Sequence, residues 1–88
     1  MAKKAESQIE RLVTKRAEAA GWIARKFEIE PGDPDHIYFK DGVAMLLEFK
    51  KRDAGPNKAQ REKIKMFREA GFAVLVVDNL ETGYSIFE

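Results

Sequence analysis

The chain contains no cysteine, which removes disulfide scaffolds, thiolate zinc sites and thiol catalysis together. It contains one histidine, too few for a usual zinc site, so any metal would have to be held by oxygen. Long apolar runs are also missing. The longest, Phe72 to Val77, has six residues, against the roughly 20 needed to cross a bilayer. No charged-then-apolar leader opens the sequence, and with the lack of cysteine this predicts a cytoplasmic protein with no membrane association. Repeats, low-complexity stretches and linkers are absent as well, so the 88 residues are expected to form one domain, 1–88.

What is present is charge: 35% of residues are Asp, Glu, Lys or Arg, yet the net charge is only +1. The near-cancellation conceals blocks of net +4 over 1–27, −5 over 28–48, +6 over 49–68 and −4 over 69–88. An acidic centre between basic flanks suits a cation site that serves a polyanion, although charge runs are more often plain solvated faces.

Apolar residues at Ile9, Leu12, Val13, Ala17 and Ala20 have the spacing of one helical face, predicting a first helix from near Lys4 that Gly21 ends. Trp22 to Ile29 alternates like a half-exposed strand with an irregularity in its middle. Pro31, Gly32 and Pro34 break the chain before a short strand over His36 to Phe39. Asp41-Gly42 predicts a tight hairpin into a partner strand from Val43 to Lys50. Asn57 is placed to cap a second helix that ends at Gly71. Phe72 to Val77 then reads as a strand buried on both faces, reached by a parallel crossover, with Tyr84 to Phe87 as an optional edge strand. The fold class is therefore α/β, a small mixed sheet flanked by helices in the order α-β-β-β-α-β(β).

Strand alternation puts Met45, Leu47 and Phe49 on one face and Leu46, Glu48 and Lys50 on the other. A carboxylate after a Val-Ala-Met-Leu-Leu run is costly to desolvate unless it is paired or holds a cation. Taken alone, Glu48 and Lys50 read most simply as an ion pair at a strand end. The hairpin alters that reading. A two-residue turn pairs Lys40 with Val43 and so sets Asp35 opposite Glu48, with β-carbons about 5 Å apart on one face. Two carboxylates that close repel, and a divalent cation between them relieves the repulsion. Oxygen ligation favours Mg²⁺ or Mn²⁺. With Lys50 beside the pair, the set matches the needs of phosphodiester hydrolysis by water: a cation on the phosphate and an amine to orient water or neutralise growing charge.

Pro34-Asp35 followed by Glu48-Phe49-Lys50 resembles the PD-(D/E)XK nuclease motif, and the wider context resembles its VRR-NUC branch: Glu6-Ser7 on the first helix, Gly32-Asp33-Pro34-Asp35, Gln60 on the second helix, and Ala70-Gly71-Phe72 before an apolar strand. The resemblance implies a restriction-endonuclease-like core. It also implies a metal-dependent endonuclease acting on DNA, selective for branched forms such as the Holliday junction, and working as a homodimer. It casts Lys50, Asp35, Glu48 and Gln60 as catalytic, and Asp35, Glu48, the Phe49 carbonyl and Glu6 as metal ligands. Glu6 also reads as an ordinary helix-start acid and Gln60 as a solvated helix residue. Lys26, Lys51, Arg52, Lys58 and Arg61 are the expected contacts to nucleic-acid phosphates, without base reading. Asp33 reads as a turn former, and His36, facing away from Asp35, as structural. Tyr84, Ile86 and Phe87 are the expected dimer contacts. The alternative reading is a nucleic-acid-binding module that keeps the fold without the activity.

Overall fold

A computed structural model describes residues 5–88. It forms α1 (Glu6–Ala19), β1 (Ile23–Lys26), β2 (His36–Lys40), β3 (Val43–Phe49), α2 (Lys58–Glu69), β4 (Ala73–Val77) and α3 (Leu80–Ile86). Lys4, the expected start of α1, lies outside the described residues. The sheet runs β1-β2-β3-β4, antiparallel across its first two pairings and parallel between β3 and β4. Among the described residues no helix is long and apolar enough to cross a membrane.

The hairpin forms as its sequence dictates. Asp41 and Gly42 take φ of 50° and 78°, the paired left-handed conformation whose twist matches that of two flanking strands, and Lys40 pairs with Val43. This register fixes which side chains share a face. On one side Tyr38, Met45, Leu47 and Phe49 pack with Ile9, Val13 and Ala17 of α1 and with Phe87. On the other, Leu46 and Val74 pack beneath Ile64 of α2, joined by Phe27, Ile37 and Phe67.

Two expectations are corrected. Residues Tyr84 to Phe87 are not an edge strand, since Leu80–Ile86 is helical. Asn79 Oδ1 accepts from Thr82 N at 2.8 Å to start the turn, and Leu80, Tyr84 and Phe87 stand at helical spacing against the α1-side core. Gly83 lets α3 come close: a Cβ there would collide with Val13 and Val77. β4 is the edge of the sheet, yet both its faces are covered as expected, Leu75 and Val77 by the α1-side core and Val74 and Val76 by the α2 side. The strand predicted over 22–29 is shorter, Ile23–Lys26. Its pairing persists one step further, where Phe27 N donates to Asp35 O at 2.9 Å.

Candidate active site

The antiparallel ladder ends with His36 opposite Leu47, and one step further the same register sets Asp35 opposite Glu48. Asp35 is held at both ends. Its main-chain oxygen accepts from Phe27 N, and its Oδ2 accepts from Phe49 N at 2.7 Å. Glu48 is 1% exposed, and neither of its carboxylate oxygens has a hydrogen-bond partner. Burial pushes its pKa from 4.5 up to about 8, reinforced by the Asp35 carboxylate beside it and opposed by Lys50. The physical picture is consistent: two bare carboxylates have no proton to share, whereas a proton on Glu48 lets it donate to Asp35.

Lys50 follows the last residue of β3, and its N–H donates to Val77 O at 2.9 Å, extending the parallel ladder one step. Glu6, in the first turn of α1, reaches the same place from the opposite layer. Burial raises its pKa, the Asp35 charge adds to this, and Lys50 and Lys51 counter it. Asp35, Glu48, Lys50 and Glu6 are thus brought together at one end of the sheet. Phe49 contributes its N–H to Asp35 and its ring to the α1-side core.

The donor set fits a divalent cation. A buried carboxylate with both oxygens unpartnered, directly beside a second carboxylate, is the arrangement a hard cation relieves. Among the described residues no three His, Cys, Asp or Glu form a ready-made cage, so main chain, water and substrate would complete the shell, as is usual for Mg²⁺.

The other expected site residues fall in different places. Gln60 is built into the start of α2: its Oε1 accepts from Asn57 N and its own N–H donates to Asn57 Oδ1, both at 2.9 Å. That reciprocal box leaves the Gln60 amide nitrogen free. Asp33 is a buried turn former, its Oδ2 accepting from Glu30 N at 2.8 Å. His36 points to the α1 side as expected, buried between Tyr38 and Phe49. Lys26 lies across from Glu10, 3.8 Å away. Arg61 donates to Pro56 O, and Arg52 stands 4.0 Å from Glu81. Lys51 and Lys58 are exposed. Phe87 is 1% exposed, so it belongs to the core and is excluded as a dimer contact.

Two supporting arrangements escaped the sequence reading. Lys63 Nζ clamps the loop ahead of Asp35 by pairing with Glu30 Oε2 at 2.6 Å and approaching Asp33 Oδ1 at 3.9 Å. Gly32, at φ +89°, allows that loop to touch α2, since a Cβ there would lie 3.1 Å from Ala59 O. Beyond the site, Asp78 Oδ2 accepts from Asp53 N at 3.0 Å, and Asn79 Nδ2 donates to Asp78 Oδ1 at 2.7 Å. These bonds hold the Asp78 carboxyl below its ordinary pKa and tie the segment after Lys50 to the end of β4. Only the position of an acid just past an apolar strand hinted at this.

No family model matches the chain, and no curated protein does. Solved structures do match. One, described as a VRR_NUC domain, is 26% identical over 92% of this chain and 91% of its own length, with a TM-score of 0.82. Another, a VRR_NUC domain protein, is 15% identical over 97% of this chain and 86% of its own, with a TM-score of 0.80. These likenesses span nearly the whole chain, and the motif that prompted the resemblance lies on the two paired strands and the helices around them. The chain has the fold of these VRR_NUC domains.

Proposed function

We propose that the protein is a Mg²⁺- or Mn²⁺-dependent endonuclease that hydrolyses DNA phosphodiester bonds, selective for branched DNA and working as a homodimer. The observation that carries this reading is the buried, unpartnered Glu48 carboxylate facing Asp35, with Lys50 two residues further along. Asp35, Glu48 and the Phe49 carbonyl would hold the cation, with Glu6 approaching from α1. When bound, the cation supplies Lewis-acid polarisation of the phosphate and a lowered pKa for water. Lys50 orients the attacking water or neutralises charge as it builds on phosphorus. Phe49 N–H and the loop clamped by Lys63 hold Asp35 in position. The free amide nitrogen of Gln60, fixed by its cap, can donate to a substrate phosphate.

Selectivity for branched DNA rests on size and on the family likeness. A single small domain offers one cleft, whereas an isologous pair sets two sites at a fixed separation, as cutting two strands requires. Apolar surface to support such a pair exists away from the core: Ile23 and Phe39, opposed in the ladder, are 54% and 40% exposed, and Phe72 is 44% exposed.

The test uses supercoiled plasmid and a four-way junction with Mn²⁺ or EDTA, comparing the parent with Asp35→Ala and Lys50→Ala, while light scattering reports the oligomer. Nicking that requires metal and vanishes in both variants is expected, from a protein of twice the monomer mass. Binding without cleavage in any divalent metal would replace the enzyme by the inactive binding module.

A further inference from the structure

Resting on the nucleic-acid reading above, we infer that the phosphate backbone of the bound strand leaves the carboxylate site along a groove between α1 and the β1–β2 strands, and not across the basic face of α2. The charge count along the chain points to α2, whose block is the most positive. The structure redistributes that charge. Lys63 is held by Glu30, Lys65 lies 3.9 Å from Glu69, Arg61 is bonded to Pro56 O, and Arg68 donates twice to Val74 O. Four of the five helix cations are therefore engaged within the fold, and Lys58 alone is left.

α1 is different. Arg11 and Lys15 are both exposed, one turn apart, and neither has an ion-pair partner among the described residues. Like charges at that spacing repel and weaken a helix, so the fold gains nothing from them. With Ser7 one turn earlier they form one rim of a groove of about 580 Å³. Lys26 and His36 form the opposite rim, and Glu10 and Thr14 line the groove between the two, with Glu18 at its far end. Glu6, one residue before Ser7 on α1, feels the charges of Asp35 and Lys50 on one side and of Glu10 on the other, so the near end of the groove lies beside the carboxylate site.

Glu10 occupies the place a phosphate would take. Its Oε1 lies 3.8 Å from Lys26 Nζ and 3.2 Å from His36 Nδ1. The histidine is 8% exposed, and its Nδ1 is not aligned for a hydrogen bond. A buried ring nitrogen without a hydrogen-bond partner is an incompletely satisfied group, and a phosphate oxygen completes it when that nitrogen carries its proton. Glu10 thus serves as a placeholder that the backbone displaces.

The experiment measures binding of a labelled DNA duplex in EDTA, where no cleavage occurs, across a range of salt concentrations. Removing two phosphate contacts should reduce the slope of log K against log salt by about 1.8. The double variant Arg11→Gln/Lys15→Gln is expected to show that reduction, while Arg61→Gln/Lys65→Gln keeps the parent slope. Glu10→Gln is expected to tighten binding several-fold, which a purely structural Glu10 would not do. An unchanged slope for the α1 pair, or an equal reduction for the α2 pair, overturns the path. Weaker or unaltered binding by Glu10→Gln overturns the placeholder. Metal-dependent nicking with an unchanged α1 slope sinks the path and leaves the nuclease standing. An α1-dependent slope without nicking leaves the path and sinks the nuclease. A parent that does not bind DNA at low salt ends both.

Discussion

Replacing Glu48 by Gln in metal-free protein isolates the repulsion at the centre of the site. In the unfolded chain this carboxyl ionises near 4.5, and in the fold near 8, because burial and Asp35 disfavour its charge. The folded state therefore retains a proton that the unfolded state gives up, and the parent loses stability as pH rises from about 4.5 to about 8, with the full loss present above that. Taken literally the shift approaches 5 kcal/mol at about 1.4 kcal/mol per unit. Water entry and relaxation around a strand end reduce this to about 2–4 kcal/mol, in line with the high effective dielectric of real sites. Glutamine keeps the shape and, through its amide, the donor to Asp35, but cannot ionise. Glu48→Gln is thus expected to melt within a few degrees of the parent at pH 5 and, at the usual 4–8 °C per kcal/mol for a domain of this size, about 10 °C or more above it at pH 8.5. Addition of Mn²⁺ at pH 8.5 should raise the parent's melting temperature in proportion to the logarithm of free metal and leave the variant unmoved. Parallel pH profiles for the two proteins, or equal shifts with Mn²⁺, would refute the reasoning.

Gly83→Ala is expected to destabilise by about 1–3 kcal/mol in denaturant titration despite the gain in helix propensity, because the added methyl meets Val13 and Val77 in the α1–α3 contact. Gln60→Glu separates the two roles open to that residue: a glutamate oxygen retains the reciprocal cap and its charge suits a helix N-terminus, so the melting temperature should hold, while nicking should fall sharply through repulsion of the phosphate. Nicking at the parent rate would reduce Gln60 to a cap.

The fold was legible wherever one local rule acted without competition. Asp41-Gly42 has only one comfortable turn, and from that turn the whole β2–β3 register follows, Asp35 opposite Glu48 included. The C-terminal segment was harder because two patterns coincide there. Tyr84 and Ile86 fit a strand by alternation, while Leu80, Tyr84 and Phe87 fit a helix by turns, and Gly83 weakens either choice. The decision lies outside the segment, in the surface of Val13 that only a glycine on α3 can approach. Once α3 is a helix, nothing pairs beyond β4, and that strand becomes the sheet's edge.

The site divides along the same line. Its carboxylates were readable because strand register is local arithmetic, whereas the use of its basic residues was not, because whether a lysine is available depends on acids distant in sequence. Lys63 is drawn off by Glu30, thirty-three residues away, and Lys26 by Glu10 on another element. Net charge per segment counts all of these cations equally. The fold sorts them by partner, and a helix face that carries Arg11 and Lys15 at repelling spacing, with no ion pair among the described residues, is more informative about a polyanion than a richer block whose charges are already paired.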